Sequence, residues 1–160
     1  MRTAIYWIER PGEQVGGLAI APRPRGQDWL EDEASDWRAQ GVDHVVSMLT
    51  SGEVEELDLT EEQKVLAVVS IGFTSCPVED RSTPESRVSF LSEAEAVHRR
   101  RVGGESVLIH CRQGIGRSSL LAAAALQLQG VPLDEAWDQI TKARGRQVPD
   151  TKEQKDWLGE

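Results

Sequence analysis

One ten-residue stretch, H-C-R-Q-G-I-G-R-S-S, combines residue types that are suited to nucleophilic chemistry on a bound anion. It begins at His110 and contains Cys111, one of two cysteines in a chain of 160 residues. Two arginines and two glycines surround the thiol, the apolar run V-L-I precedes it, and the run L-L-A-A-A-A-L follows. The pattern predicts a tight loop between a buried strand and the N-terminus of a buried helix.

A loop of this kind is expected to bind an anion. The backbone N–H groups at a helix N-terminus have no partner inside the helix, and the helix dipole favours negative charge there. Gly114 and Gly116 let the backbone curl and approach the anion closely, while the planar guanidinium of Arg117 holds two phosphate oxygens at once. The predicted phosphate-binding residues are Arg112, Gln113, Gly114, Ile115, Gly116 and Arg117.

Cys111 is the candidate nucleophile, because it lies at the mouth of this loop. The loop amides, the helix dipole and Arg117 all stabilise a thiolate, and a thiolate beneath a bound phosphoryl group is aligned with phosphorus. We expect the Ser118 hydroxyl to reach the sulfur and ease its departure when the intermediate is hydrolysed. Helix capping is the alternative role of Ser118. His110 is expected to be a buried residue that hydrogen-bonds the loop.

The pattern H-C-x-x-G-x-x-R-S, with five residues between Cys111 and Arg117, resembles the signature of the cysteine-dependent protein tyrosine phosphatase superfamily. More narrowly, the chain resembles the small dual-specificity phosphatases. The resemblance implies hydrolysis of a phosphomonoester through a cysteinyl-phosphate intermediate, without a metal or any other cofactor. It also implies a phosphorylated protein or a small phosphoester as substrate.

The upstream segment C-P-V-E-D-R-S-T-P supplies a candidate general acid. Relatives of this kind carry their acid aspartate in a P-[IV]-x-D-x-x-x-P loop, and Pro77, Val78, Asp80 and Pro84 match that form. The resemblance implies that Asp80, 31 residues before the cysteine, protonates the leaving oxygen and then activates water. Glu79 is the alternative acid, and a purely structural acidic turn is the other alternative.

Near the C-terminus, R-G-R-Q-V-P-D-T-K-E-Q-K-D-W-L resembles a segment of some dual-specificity relatives in which a glutamine-bearing helix borders the active site. The resemblance implies that Gln154 helps to place the hydrolytic water or lines the pocket. The alternative is the polar face of an exposed helix, with Trp157 and Leu158 packing inward.

Two basic groups and the second cysteine have simpler interpretations. Lys142, Arg144 and Arg146 are expected to complement a helix C-terminus, with binding of a second phosphate as the alternative. The three arginines at 99–101 receive the same interpretation. Cys76, just before the acid loop, is expected to be a core thiol, with a disulfide to the loop cysteine under oxidation as the alternative.

The elements that must position these groups alternate between strand and helix. Strands are predicted at T-A-I-Y-W-I, G-G-L-A-I-A, H-V-V-S-M-L, G-F-T-S-C-P-V and 106–110. The first predicted helix runs from an N-terminal cap at Asp28 to a stop at Gly41, and the second runs from Glu61 to Ser70 after a Thr60–Gln63 capping box. A third begins near Glu85 and ends at a Gly-Gly pair. Three more are predicted after Arg117, over 131–145 and near the C-terminus. This order favours an α/β layered fold of one domain, a phosphatase-like catalytic domain over 1–160, with a central, mostly parallel sheet flanked by helices.

Composition excludes several other classes of function. The net charge of −9 disfavours binding to nucleic acid or to anionic lipid, since both need a basic surface. The five loop residues R-Q-G-I-G contain no lysine, which also disfavours a phosphoinositide substrate. Two cysteines and three scattered histidines show no metal-ligand spacing.

The chain has no apolar run of about 18 residues and no signal-peptide pattern, so we expect a cytoplasmic protein with free thiols and no membrane partner. The sequence does not indicate an oligomeric state. Two other functions remain open at this point, because they also use an anion-binding loop. One is a sulfur-transfer or oxyanion-reducing enzyme, and the other is a phospho-binding module.

Overall fold

In the computed structural model, which describes residues 3–159, five strands form one sheet. They are β1 (Tyr6–Glu9), β2 (Leu18–Ala21), β3 (His44–Ser47), β4 (Gly72–Ser75) and β5 (Val107–His110). Their order across the sheet is β1-β2-β5-β3-β4. Only the β1–β2 pair is antiparallel; the other three pairs are parallel. The predicted α/β fold with a mostly parallel sheet is confirmed.

The helices connect or follow these strands and cover both faces of the sheet. They are α1 (Leu30–Ala39), α2 (Ser51–Glu56), α3 (Glu62–Val68), α4 (Arg87–Val102), α5 (Arg117–Leu128), α6 (Leu133–Arg144) and α7 (Lys152–Trp157). A 3₁₀ turn at Gln27–Trp29 precedes α1. Helices α4, α5 and α6 pack together on one face of the sheet, and α1 packs on α3 on the other.

Alternating side chains of the central strands enter two separate cores. Ile20 and Ile109 belong to the core beneath α4, α5 and α6, whereas Ala19 and Leu108 belong to the core beneath α1 and α3. This alternation follows from the two-residue period of a strand. Strand β5 is buried along its whole length. The loop that follows it is therefore anchored to a rigid central element.

The first helix does not begin as the sequence predicts. Asp28 lies inside the 3₁₀ turn, and α1 starts at Leu30 with Trp29 as its N-cap and no side-chain cap. The prediction that Asp28 caps this helix is wrong. The reason is tertiary: the Gln27 amide donates to Asp58 Oδ2 at 2.9 Å and its backbone N–H donates to the Asp58 carbonyl, which fixes the chain in the tighter turn.

The capping box also lies elsewhere than predicted. Helix α3 starts at Glu62 with no side-chain cap, so the Thr60–Gln63 box is wrong. The box is formed by Thr50 and Glu53 at the start of α2, a helix that the sequence analysis does not predict. The Thr50 hydroxyl accepts from the Glu53 N–H at 3.3 Å, and the Glu53 carboxylate accepts from the Thr50 N–H at 3.1 Å.

Candidate active site

Parallel strands bring their carboxyl ends to one edge of the sheet, and the predicted site residues follow those ends. Ala21 of β2 and Ser47 of β3 both lie opposite His110, the last residue of β5. Ser75 of β4 lies opposite Ser47 in turn. The loops that follow these strands therefore converge at the position where open α/β folds place their sites. Residues 111–117 are called the phosphate loop below, and residues 76–86 the acid loop.

The two glycines of the phosphate loop lie where a side chain would not fit. Gly114 has a φ of +69°, and a Cβ there would lie 2.6 Å from the carbonyl carbon of Ala21. Gly116 is the N-cap of α5, and a Cβ there would lie 2.8 Å from oxygens of Asp150 and Gln154. Close packing against the β2 backbone thus requires glycine at position 114, whereas a side chain at position 116 would have to displace the ends of the Asp150 and Gln154 side chains.

Cys111 follows β5 directly and is buried. The Cys111 thiol donates to Ser118 Oγ across 3.2 Å, and the Ser118 side chain is itself fully buried in the first turn of α5. In the thiolate form the hydroxyl is the donor in this pair, because a thiolate only accepts. The geometry brings together the two side chains that the sequence predicts to act on each other.

Arg117, the first residue of α5, is buried and has acceptors in three other segments, namely the carbonyl of Met48 after β3 at 3.3 Å, the acid loop and α2. Its Nη1 donates to the carbonyl of Val78 at 2.8 Å, and its Nη2 lies 3.1 Å from Asp80 Oδ1, so both contacts reach the acid loop. The same guanidinium forms a two-point pair with Glu53, at 2.6 Å and 3.0 Å. Arg117 Nε is buried and has no partner within residues 3–159. It is therefore a donor that a phosphate oxygen would satisfy.

Glu53 is a site residue that sequence reasoning missed. Burial alone would raise its pKa, but the hydrogen bonds from Arg117 and Thr50 outweigh burial and hold the pKa below the ordinary value. The pair is therefore ionised at neutral pH, and its stabilising contribution is lost only as the pH falls through that lowered pKa. The signal in the sequence was the T-S-G-E capping box, which fixes this carboxylate at the N-terminus of α2.

The structure places Asp80, rather than Glu79, against the guanidinium. The Asp80 side chain is 49% exposed, so it borders solvent and the loop at once. The next residue, Arg81, has a φ of +60°, which marks a sharp turn in the acid loop. Glu79 is exposed and forms no ion pair within the described part of the chain.

Gln154 lies at the base of the site, fully buried. Its Nε2 donates to the carbonyl of Ser82 in the acid loop at 3.1 Å, and its Oε1 accepts from the Thr151 N–H in a capping box. Nearby, Asp150 lies 3.8 Å from Arg81 Nη1. The alternative of an exposed polar face is therefore wrong for Gln154, because α7 packs this side chain between the acid loop and Gly116.

Arg144 supports the phosphate loop from outside. Its Nε and Nη2 donate to the carbonyls of Gly114 at 2.9 Å and Gln113 at 3.2 Å, and its guanidinium stacks on Tyr6 at 4.2 Å. Arg144 lies in the last turn of α6, as predicted, and its side chain also binds the phosphate loop. Because Arg144 holds these two carbonyls on the outside of the phosphate loop, the loop amides are free to face inward. This arrangement suits the binding of an anion.

The other polar predictions have mixed outcomes. Arg112 lies at the rim of the site. It donates to Glu56 at 3.3 Å and forms an ion pair with Glu53 at 3.7 Å. Ile115 is buried beneath the loop. Arg101 lies in the last turn of α4, as predicted, and it is buried there and also donates to Gly16, Gln129 and Glu9.

His110 and Cys76 are both buried in the interior of the protein. His110 is fully buried, and its Nε2 lies 2.6 Å from Glu62 Oε2, so its partner is a carboxylate on α3 and not the loop as predicted. Cys76 is a buried free cysteine. Burial, assisted by Glu93, raises the pKa of the Cys76 thiol to about 12. This supports the interpretation of Cys76 as a core thiol.

The fold and the loop together define a class of protein. The family model of the dual specificity phosphatase catalytic domain matches residues 40–160. The chain therefore belongs to this family, as the signature around Cys111 implies. A crystal structure of kinase associated phosphatase, with its catalytic-site cysteine substituted by serine, superposes with a TM-score of 0.86 at 20% identity and covers 99% of this chain and 93% of that chain.

Two further comparisons have higher identity. Tk-PTP in its active form has a TM-score of 0.77 at 25% identity, with 97% of this chain and 93% of that chain covered. Dual specificity protein phosphatase 2 of Mus musculus is 36% identical over 74 residues, which are 46% of this chain and 23% of that protein. The chain thus spans well under half the length of the curated relatives it matches.

Replacement of Glu53 by glutamine should slow catalysis, because the neutral amide loses the charged two-point pair that orients Arg117. We expect kcat for a small aryl phosphate to fall about 10- to 100-fold, the scale on which misplacement of a catalytic group lowers rates, with a smaller change in KM. Steady-state kinetics on the purified variant measures both.

The matched control is Glu56→Gln on the same helix, because within residues 3–159 Glu56 pairs only with Arg112, at the rim of the site. That variant should keep wild-type kcat. Equal kcat values for Glu53→Gln and Glu56→Gln would show that Arg117 needs no partner on α2.

Proposed function

We propose that this chain is a phosphomonoester hydrolase of the protein tyrosine and dual-specificity type that works through a cysteinyl-phosphate intermediate. The observation that carries the proposal is the convergence at one sheet edge of Cys111, paired with Ser118, and Arg117, paired with Asp80. The ends of two separate strands, β4 and β5, supply these groups. Membership of the dual specificity phosphatase family supports the same reaction.

In the first step of the proposed reaction, the Cys111 thiolate attacks phosphorus while the phosphate-loop amides and Arg117 bind the equatorial oxygens. The S–P bond forms as the P–O bond to the leaving group breaks. Asp80 transfers a proton to the leaving oxygen. The phosphoryl group competes with Asp80 for Arg117 Nη2, which frees the carboxyl group to turn toward the leaving group.

In the second step, Asp80 accepts a proton from water, which attacks phosphorus and releases the thiolate. Ser118 stabilises the departing sulfur, since its hydroxyl already lies 3.2 Å away. We assign Gln154 a positioning role, because it holds the acid loop at Ser82. Arg112, Gln113, Gly114, Ile115 and Gly116 contribute the loop backbone.

The alternative functions have less support. A sulfur-transfer or oxyanion-reducing enzyme uses the same kind of loop, but the family match favours a phosphatase. A phospho-binding module needs no acid, whereas Asp80 stands 3.1 Å from the loop arginine. We therefore assign a catalytic role to the site.

The proposal also covers the substrate, the metal requirement and the location of the enzyme. The substrate is a phosphorylated protein or small phosphoester, since the net charge of −9 disfavours nucleic acid and lipid. No metal is required, because Arg117 and the loop amides supply the charge stabilisation. We place the protein in the cytoplasm, where reducing conditions keep the Cys76 and Cys111 thiols free. We also propose that residues 1–160 form one catalytic domain. Within residues 3–159, no helix is long and apolar enough to cross a membrane.

The test is hydrolysis of a small aryl phosphate by the wild-type chain in excess chelator, followed by an acid quench and mass spectrometry. We expect turnover that the chelator leaves unchanged and a phosphoryl group on the peptide that contains Cys111. Absence of turnover, or activity that disappears with chelator and returns with a divalent metal, would contradict the proposal.

A further inference from the structure

A groove beside the acid loop is not used by the proposed chemistry. It has a volume of about 1100 Å³ and is lined by β4, the acid loop, α2, the segment before α3 and the start of α4. Buried Leu49, Leu59 and Phe90 lie at its base. No residue of the phosphate loop lines this groove, called the β4 groove below, within the described chain. It is therefore a separate surface that shares the acid loop with the site.

The β4 groove carries negative charge without compensation. Four glutamates that line it, Glu55, Glu79, Glu85 and Glu93, form no ion pair within residues 3–159, and none of its described lining residues is Lys, Arg or His. The contrast within α2 is informative. Glu53 and Glu56 of that helix pair with Arg117 and Arg112 on the phosphate-loop side, whereas Glu55 faces the groove unpaired.

The groove also exposes an unpaired strand edge. Within the described chain, β4 pairs only with β3, at the edge of the sheet. Gly72 and Cys76 donate toward β3, to the carbonyls of Asp43 and Ser47. Since backbone groups alternate along a parallel strand, the N–H and C=O groups of Phe73 and Ser75 point away from β3, and both residues line the groove. An extended peptide can add to such an edge.

We propose that the β4 groove binds an extended, lysine- or arginine-bearing segment of the phosphorylated substrate protein. The backbone of this segment pairs with Phe73 and Ser75, and its basic side chains pair with the groove glutamates. Because Val78 lines the groove and its carbonyl also accepts from Arg117 at 2.8 Å, the groove adjoins the phosphate loop, and a segment flanking the phosphorylated residue can reach both. This inference rests on the proposed function and narrows its substrate class to phosphoproteins with basic flanking residues.

The test compares two phosphotyrosine peptides of the same length, one with lysines and arginines flanking the phosphotyrosine and one with glutamines in their place. We expect kcat/KM to be about 10-fold higher for the basic peptide, from several exposed charge pairs of ordinary strength. The difference should shrink at high ionic strength because such pairs are screened. Equal kcat/KM values for the two peptides would overturn the proposal.

A matched pair of triple variants assigns the effect to the groove. Glu55→Gln, Glu85→Gln and Glu93→Gln together should remove the preference for the basic peptide and leave hydrolysis of a small aryl phosphate unchanged. The control removes three exposed glutamates outside the groove, Glu31→Gln, Glu95→Gln and Glu153→Gln, and should keep the preference. If both variants lose it equally, net charge rather than the groove selects the peptide, and the proposal fails.

A binding measurement separates this inference from the proposed function. In the Cys111→Ser chain, the basic peptide should slow amide hydrogen exchange at Phe73 and Ser75, while the glutamine peptide should not. If the wild type hydrolyses the aryl phosphate through Cys111 but these amides gain no protection, the groove proposal alone fails. If the aryl phosphate is not hydrolysed but the amides are protected, the proposed function alone fails. Concentration-dependent protection without peptide would identify a second copy of the chain as the occupant and overturn the proposal.

Discussion

Cys111→Ser should abolish hydrolysis of phosphomonoesters while leaving the fold and the phosphate site in place. Serine has nearly the same shape as cysteine, but its hydroxyl is not ionised near neutral pH and lacks the nucleophilicity of a thiolate. We expect kcat for a small aryl phosphate to fall by a factor on the order of 10⁴ or more, the scale for loss of a nucleophile that acts as a unit with its neighbours.

Binding of inorganic phosphate distinguishes loss of chemistry from loss of structure. The Arg117 guanidinium and the loop amides remain in Cys111→Ser, so thermal stabilisation by phosphate should match that of the wild type. The matched control is Cys76→Ala, because Cys76 is the other buried free cysteine and packs in the core beneath α4 and α5. That variant should retain wild-type kcat. Full activity in Cys111→Ser would refute covalent catalysis by this residue.

The parts of the site that are local in the sequence were predictable. Cys111, Arg117 and Ser118 lie within one strand–loop–helix unit, so their spacing alone predicts the shared anion site that we propose. Gly114 and Gly116 carry the same information, because glycine marks positions where the backbone has no room for a side chain. The fold class was predictable for a similar reason, since the alternation of strands and helices is a pattern along the chain.

The parts that depend on crossovers were not predictable in detail. Glu53 lies 64 residues from Arg117 in sequence and meets it only because β3 and β5 are adjacent and end in register. Both the Thr50–Glu53 and Thr60–Gln63 pairs fit the local capping pattern. Only the ion pair between Glu53 and Arg117 distinguishes the Thr50–Glu53 pair from the Thr60–Gln63 pair. The local capping pattern therefore does not tell which of the two pairs forms a capping box.

Arg144 illustrates the same limit for a basic residue. In sequence it is one of several positive charges near the end of α6, where complementing the helix dipole is the ordinary role. Its actual partners are the Gln113 and Gly114 carbonyls, about 30 residues upstream. The position of β1 beside α6 determines these partners, because Tyr6 of β1 provides the surface on which the Arg144 guanidinium stacks.

The site is accordingly a set of contacts between loops rather than a single loop. Arg117 contacts the acid loop through Val78 and Asp80, and Gln154 holds the same loop at Ser82. Displacement of the acid loop therefore disturbs the acid and the oxyanion site together. This coupling makes Asp80 the residue whose substitution should have the largest effect after that of Cys111 itself.

Asp80→Asn should lower kcat about 10²- to 10⁴-fold for a phosphate ester with a basic leaving group, since this is the usual contribution of a general acid. Asparagine keeps a hydrogen-bonding side chain near Arg117 but cannot transfer a proton. With an activated nitrophenyl ester the leaving group needs no proton, so formation of the intermediate should be nearly unaffected. Hydrolysis of the intermediate should still be slow, because Asp80 is also the proposed base.

The variant should therefore release a burst of nitrophenolate equal to the amount of enzyme, followed by slow turnover, and phosphocysteine should accumulate in rapid-quench samples. Glu79→Gln is the matched control: it removes one charge from the adjacent residue and should show neither the burst nor the fall in kcat. If Glu79→Gln shows both while Asp80→Asn behaves as the wild type, the acid lies one residue earlier. In that case the 3.1 Å contact of Asp80 with Arg117 has a structural role, because it would hold the acid loop against the phosphate loop.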